Sequence, residues 1–303
     1  MAASVAELAT PLTAAQAVQP AQSVPAANVA TTATAAHPAR PGGAFMAWLR
    51  QRAGALLVAL ALLVIWEVSV RVLGIKEYLL PPPTRIWTEF VKRSPLVMGG
   101  AWVTTQEILG GYLLAVLVSI PFALAVTYSR FMENAVYPVV VFLQIVPKIA
   151  IAPLFIIWFG FGYTPKLLIV FLLSFFPIVV SSIAGFKAVD PEIMDFARTT
   201  GAGGWRLFAK IRLPQALPDI FTGMKVGAAL SATAAIVAEF VASDKGLGYL
   251  LLQYNGNLDT PMVFAVIFLL SFIGLAVYYV VEFMERITIP WHASQTNAGQ
   301  TPH

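Results

Sequence analysis

Six long apolar stretches punctuate this chain, and they leave it few folds to choose from. They cover approximately residues 54–72, 104–128, 136–159, 166–186, 217–241 and 262–283. A helix rises ~1.5 Å per residue, so about twenty apolar residues cross the ~30 Å hydrocarbon layer of a bilayer. The runs are continuous. A closed barrel would show alternating segments of about ten residues, so spanning helices are the fitting solution. Composition agrees: 58% of the 303 residues are hydrophobic and 11% charged, against roughly a quarter charged in soluble domains. The predicted class is all-α and polytopic, with six transmembrane helices.

Several chemistries are excluded by residue type. There is no cysteine, hence no disulfide, thiolate metal site or cysteine nucleophile. The three histidines, His37, His292 and His303, all lie in polar tails, so histidine metal sites and Ser-His-Asp triads have no members in the apolar body. The net charge is only +4 with no long basic block, which gives no nucleic-acid footprint. No metal and no enzymatic activity are expected. The chain reads as a mover of solutes.

The expected organisation is a disordered Ala/Thr/Pro-rich tail over residues 1–44, a transmembrane domain over 45–291 and a polar tail over 292–303. The first tail lacks a basic start followed by an apolar run, so it is not read as a secretory signal. With the N-terminus in the cytoplasm, ten Lys and Arg fall inside and seven outside, Lys166 among the latter; this small bias favours N-inside. Residues after Pro81-Pro82-Pro83 read as a short amphipathic helix. The third stretch holds Pro138, Pro147 and Pro153. Each removes a backbone donor, so this span is expected to be kinked or broken, with its freed carbonyls facing protein or a water-filled pathway.

Charged groups inside spans cost at least ~2.5–3.5 kcal/mol, and each needs a reason. Lys148, with Gln144 one turn earlier, is a candidate pathway lining that would attract an anionic solute, or else a cap on a helix C-terminus. Glu239 is a further pathway candidate. Glu239 and Glu107 also fit positions at a membrane interface, which is the preferred reading for both. Lys225 is expected close to the cytoplasmic surface. The small-residue face from Gly223 through Gly227 and Ala228 to Ala235 suits close helix packing, against the fourth span or a second copy.

The most informative segment is polar and lies between the fourth and fifth stretches, over residues 190–214. Asp190-Pro191-Glu192 is a helix start, predicting a helix to about Thr200. Gly201-Ala202-Gly203-Gly204 permits a sharp turn. A second short helix is expected from Trp205 to about Ile211, ending at Pro214. This glycine run lacks the third glycine of a dinucleotide loop, and no Gly-Lys pair exists for a phosphate-binding loop. A rigid helix–turn–helix on a membrane bundle is a docking element.

Asp195-Phe196-Ala197, Gly201 and then Ile211-Arg212-Leu213-Pro214 resemble the E-A-A-x3-G-x9-I-x-L-P motif of integral permease subunits in binding-protein-dependent ABC importers, the MetI-like fold. Asp195 stands for Glu and Phe196 for Ala. Tyr78-Leu79-Leu80-Pro81, Ala152-Pro153-Leu154, Trp158-Phe159-Gly160-Phe161-Gly162 and Gly246-Leu247-Gly248-Tyr249 resemble the taurine, nitrate and sulfonate branch, to which permeases for pyrimidine precursors are similar. The resemblance implies a bacterial inner-membrane protein working as a homodimer. Cytoplasmic ATPase subunits that hold the ATP would seat Asp195, Ala197, Gly201, Ile211, Leu213 and Pro214, and a periplasmic or lipid-anchored binding protein would deliver the solute. The chain itself needs no cofactor. The competing class is an ATPase-independent secondary transporter or channel, which would call for ion-coupling carboxylates and an internal repeat.

Overall fold

The computed structural model describes residues 41–189, 191–199 and 204–290. The polar tails up to residue 40 and from 291 onward lie outside the described residues, as do Asp190 and 200–203, including Gly201. By contacts the chain divides into Met1–Leu56 and Leu57–His303. The described part of the first unit, from residue 41, is helical, so helix begins four residues inside the expected tail.

The secondary structure described is helical throughout. α1 covers Pro41–Val72, and its second half coincides with the first expected span. α2 (Pro83–Lys92) is the amphipathic helix foreseen after the prolines, with proline in its first turn, where a missing N–H costs nothing. α3 (Ser94–Tyr128) begins ten residues earlier than its apolar stretch. α6 (Tyr163–Lys187), α9 (Leu213–Ala242) and α11 (Thr260–Thr288) supply further spans. Among the described residues four helical runs are long and apolar enough to cross a bilayer, and a bent pair makes a fifth.

That bent pair is the proline-rich third stretch. α4 (Arg130–Ile145) stops two residues before Pro147, a 3-10 turn follows over Lys148–Ile151, and α5 (Ala152–Phe159) leaves at 83°. Only Pro147 breaks the span. Pro138 is carried inside α4, and Pro153 sits in the first turn of α5. A proline near a helix start has no intrahelical bond to lose.

The bundle is built the opposite way from a water-soluble core. Leu57, Leu117 and Phe272 expose more than 60% of their surface, as suits side chains facing lipid tails. Thr104, Glu107, Ser119, Ser174 and Ser231 are fully buried. With no hydrophobic force between helices in lipid, close packing and buried polar contacts hold them together. α6 and α9 are packed most intimately. A Cβ on Gly223 would stand 2.7 Å from the Ser181 Cβ, and one on Gly227 would stand 3.1 Å from Ile178. The small-residue face therefore packs on the fourth span, as expected from sequence.

The segment joining α6 to α9 differs from expectation in one respect. α7 (Pro191–Thr199) matches the first short helix. After it, α8 (Gly204–Leu207) does not end at Pro214. It passes through a π-helical turn, Phe208–Arg212, directly into α9, giving one helical run over Gly204–Val241. A wider i→i+5 turn loosens the usual ladder immediately ahead of Pro214, and Pro214 falls in the first turn of α9. α10 (Leu247–Gly256) is a short helix between the far end of α9 and α11.

Candidate functional site

Two polar constructions stand at opposite ends of the α6–α9 pair. The 188–212 segment joins α6 to α9 at one end, and Tyr163 and Ala242 mark the other.

At the connecting end, Asp195 is exposed on α7 and Ala197 is buried beside it. Ile211, Leu213 and Pro214 are half-buried along the π turn and the start of α9. Gly201 lies outside the described residues, so the structure brings five of the six sequence-chosen coupling residues onto one stretch. Trp205 is 77% exposed and Ile193 42%, so this polar knob presents apolar side chains to its surroundings. The residue that sequence reasoning passed over is Arg212, the variable position of the motif. Its guanidinium donates to the Phe186 carbonyl (3.2 Å) and the Thr127 carbonyl (3.4 Å) and lies over the Phe186 ring at 6.0 Å. The last carbonyls of a helix have no intrahelical donor and carry negative dipole charge. One side chain thus ties the π turn to the ends of α3 and α6. Lys225 pairs with Glu285 of α11 at 2.8 Å, near the middle of the helical run Gly204–Val241.

The broken span holds the first two pathway candidates. Lys148 Nζ donates to the Gln144 carbonyl at 2.6 Å and lies 4.8 Å from the Phe176 ring centre. The two residues do meet, through the backbone of Gln144. Lys148 therefore caps the C-terminal turn of α4, one of the two arrangements expected from sequence.

Glu239 is elsewhere. It is buried at the far end, 1% exposed, with Glu107 and Lys166 (0% and 6%). None of the three is open to solvent, although Lys166 lies in the first turn of α6 and Glu239 in the last turn of α9. Glu239 Oε1 accepts from the Thr104 hydroxyl at 2.6 Å, and its Oε2 accepts from the Gly248 N–H. Thr104 Oγ1 in turn accepts from the Leu247 N–H at 2.8 Å. These amides belong to the first turn of α10, which lacks intrahelical acceptors and favours a carboxylate. Gly246, at φ +106°, leads in, and a Cβ there would overlap the Glu239 carboxylate. Lys166 Nζ contacts Glu107 Oε1 at 2.5 Å and donates to the Ser243 hydroxyl at 2.9 Å. The signal in the sequence was Gly246-Leu247-Gly248 seven residues beyond a glutamate. It was read there only as part of a resemblance.

Comparison with known proteins settles the class. Residues 107–289 match the model of the family described as "Binding-protein-dependent transport system inner membrane component". The chain belongs to that family. This permease is 34% identical over 235 residues to the riboflavin transport system permease protein RibX of Chloroflexus aurantiacus, covering 77% of this chain and 88% of that one. It is 34% identical over 237 residues to the formylaminopyrimidine transport permease protein ThiX of Halalkalibacterium halodurans, covering 78% and 94%. With the taurine transport system permease protein TauC of Escherichia coli it shares 29% over 238 residues, covering 76% and 86%. A solved inward-facing structure of the MetNI methionine ABC transporter matches its fold with a TM-score of 0.54 at 16% identity, covering 66% of this chain and 97% of that one. The permease is a membrane translocation component of an ABC transport system, and its family consists of such components rather than enzymes. Members work with an ATPase and a solute-binding protein.

Proposed function

We propose that the permease crosses the bacterial inner membrane six times with its N-terminus in the cytoplasm. In this reading residues 45–291 form the transmembrane domain, and two copies assemble around one pathway. The segment 190–214 faces the cytoplasm and docks on the ATPase through Asp195, Ala197, Gly201, Ile211, Leu213 and Pro214. A periplasmic or lipid-anchored binding protein delivers the solute.

The observation that carries the docking role is the exposure of Trp205 and Ile193 on a knob of charged residues. A segment too polar to enter lipid gains by covering such apolar surface with protein. Arg212 supports the role, because it joins the knob to the ends of two spans and gives a path for force. Replacing Gly201 by valine is expected to uncouple ATP hydrolysis from transport while the protein stays in the membrane; unchanged uptake by Gly201→Val would refute the hinge.

For the solute we favour a small polar heterocycle of the pyrimidine-precursor type over a sulfonate, taurine or nitrate. Lys148 gives one hydrogen bond to the Gln144 carbonyl and lies over the Phe176 ring, which leaves its charge unpaired by any carboxylate among the described residues, so the preference is drawn from the relatives. The relatives named for riboflavin and formylaminopyrimidine are more alike to this chain than the taurine one. The broken span with Gln144 and Lys148 is kept as pathway lining. The test is ATP-dependent uptake into proteoliposomes holding the permease, its ATPase and its binding protein. A formylaminopyrimidine should accumulate and taurine should not. Uptake of taurine alone would reverse the assignment, and uptake without any ATPase would return the chain to the secondary-transporter class.

A further inference from the structure

The far-end cluster has a charge and hydrogen-bond count that does not close. Glu107, Glu239 and Lys166 are 0%, 1% and 6% exposed. Fully ionised, they seal a net charge of −1 into an apolar bundle, where an unneutralised charge costs several kcal/mol. No second buried cation stands beside them among the described residues, and the first turn of α10 offers Glu239 only partial positive charge. On α6, Tyr163 gives its hydroxyl hydrogen to the Gln106 carbonyl. Beyond α9, Asp244 and Lys245 are exposed on the rim, and Asp244 carries the wrong sign.

The hydrogen-bond count points the same way. Both oxygens of Glu239 accept, from Thr104 and from the Gly248 amide. Glu107 Oε1 takes Lys166. Glu107 Oε2 is fully buried with no donor among the described residues, and the Glu107 and Glu239 carboxyls lie within reach of each other. One hydrogen between the two carboxyls would neutralise the cluster and satisfy the orphaned oxygen together. A protonated carboxyl still accepts on its remaining lone pairs, so the bonds from Thr104 and Gly248 survive.

We propose that the permease binds a single proton between Glu107 and Glu239, and that this proton fastens the α9–α10 hairpin onto α3 and α6. The mechanical chain is short. Glu239 holds the first turn of α10, Thr104 brings α3 to the same turn, and Lys166 reaches from Glu107 on α3 to Ser243 in the hairpin. A cavity of about 500 Å³ lined by Lys166, Ser243 and Asp244 opens on the Lys166 side of the cluster. Loss of the proton restores the buried negative charge and loosens the hairpin.

The test uses the full-length permease in detergent or nanodiscs and reads the cluster without relying on any solute. Infrared difference spectra at neutral pH should show a protonated-carboxyl stretch that disappears in Glu107→Gln. A glutamine at 107 keeps an oxygen for Lys166 and turns the orphaned oxygen into a permanent donor toward Glu239, so Glu107→Gln should unfold within a few degrees of the parent and lose the parent's destabilisation at alkaline pH. Glu239→Ala should melt far lower at every pH. Absence of the band in the parent overturns the proposal, as does an alkaline destabilisation unchanged in Glu107→Gln. Stabilisation by Na⁺ but not K⁺ at fixed pH would assign the place to a metal cation and overturn it as well.

Discussion

The two ends of the α6–α9 pair face the same need, to fasten a short helical segment to the spans, and meet it differently. At the far end the fastening is made by side chains inside the bundle, with Glu107, Lys166 and Glu239 all nearly inaccessible. At the connecting end it is made by one half-buried arginine reaching two helix-terminal carbonyls, next to a π turn and an exposed tryptophan. Buried ion pairs make an all-or-none joint, because removing one partner strands the other in low dielectric. Contacts to carbonyl ends tolerate small displacements. The comparison teaches that the seat of α10 is held by buried charges, whereas the α6–α9 connection is held by contacts that tolerate displacement.

The largest expected effect breaks the stiff end. Lys166→Met leaves Glu107 buried without its cation and should destabilise the solubilised protein by ~3–5 kcal/mol. Pairing it with Glu107→Leu should recover most of that loss, since well-packed apolar replacements of a buried pair are often near neutral. Thermal unfolding of the two single variants and the double variant checks this. If the losses simply add, the contact at 2.5 Å does not hold this end together.

Next in size is Gly246→Ala. Its φ of +106° is strained for any side chain, at about 1–3 kcal/mol, and the added methyl displaces the Glu239 carboxylate. Protection of the α10 amides in hydrogen exchange should fall while α6 protection holds. Equal loss in both helices would mean that the glycine serves the whole bundle and not the seating of α10.

Arg212→Ala sharpens the contrast from the other side. Hydrogen bonds to charged groups contribute ~1.5–3 kcal/mol when well formed, and these two are long, so the stability loss should stay at or below the lower figure. Coupling should suffer more than stability, with ATP hydrolysis by the complex continuing while uptake drops. Arg212→Lys should rescue only partly, because an ammonium lacks the planar fork that reaches both carbonyls. Uptake and hydrolysis falling in proportion would place Arg212 in the fold alone.

The spans were legible because lipid imposes a length and a polarity on every crossing helix, and the prolines marked where one would break. Local rules ended there. Nothing near Pro138 or Pro153 says that only Pro147 breaks the span, since that depends on where each helix starts. The continuity of the run through Pro214 depends on a π turn with no signature of its own. At the site, the fixed spacing from Asp195 to Pro214 marked the segment proposed to dock, yet Arg212, which ties its end to α3 and α6, occupies an unspecified position of the motif. Glu107, Lys166 and Glu239 were visible only as isolated charges in apolar runs. Their pairing is set by how α3, α6 and α9 cross, over separations of 59 and 135 residues for Lys166–Glu107 and Thr104–Glu239.

The smallest effect belongs to α2, where the buried Glu89 is ringed by three solvent-exposed cations and serves as a control for the fully buried cluster. Glu89 sits among Lys92 (2.9 Å), Arg85 (3.4 Å) and Arg93 (3.4 Å). The hydrogen bond from Lys92 leads in holding its carboxyl below the ordinary glutamate value of 4.5, burial opposes this, and the three cations add to the lowering. A carboxylate lowered on folding contributes stability above its unfolded pKa and loses it as the pH falls through the folded value. The contribution should therefore be complete at neutral pH and fade below about pH 4.5, opposite in direction to the alkaline loss expected of the Glu107–Glu239 pair. Mutational coupling to solvent-exposed cations is ~0–1 kcal/mol, so Glu89→Gln should lower the neutral-pH melting point slightly and flatten the acid side of the profile. An acid limb as steep in Glu89→Gln as in the parent would assign it to other carboxylates. Because the two limbs belong to different glutamates, each variant should alter one and leave the other in place.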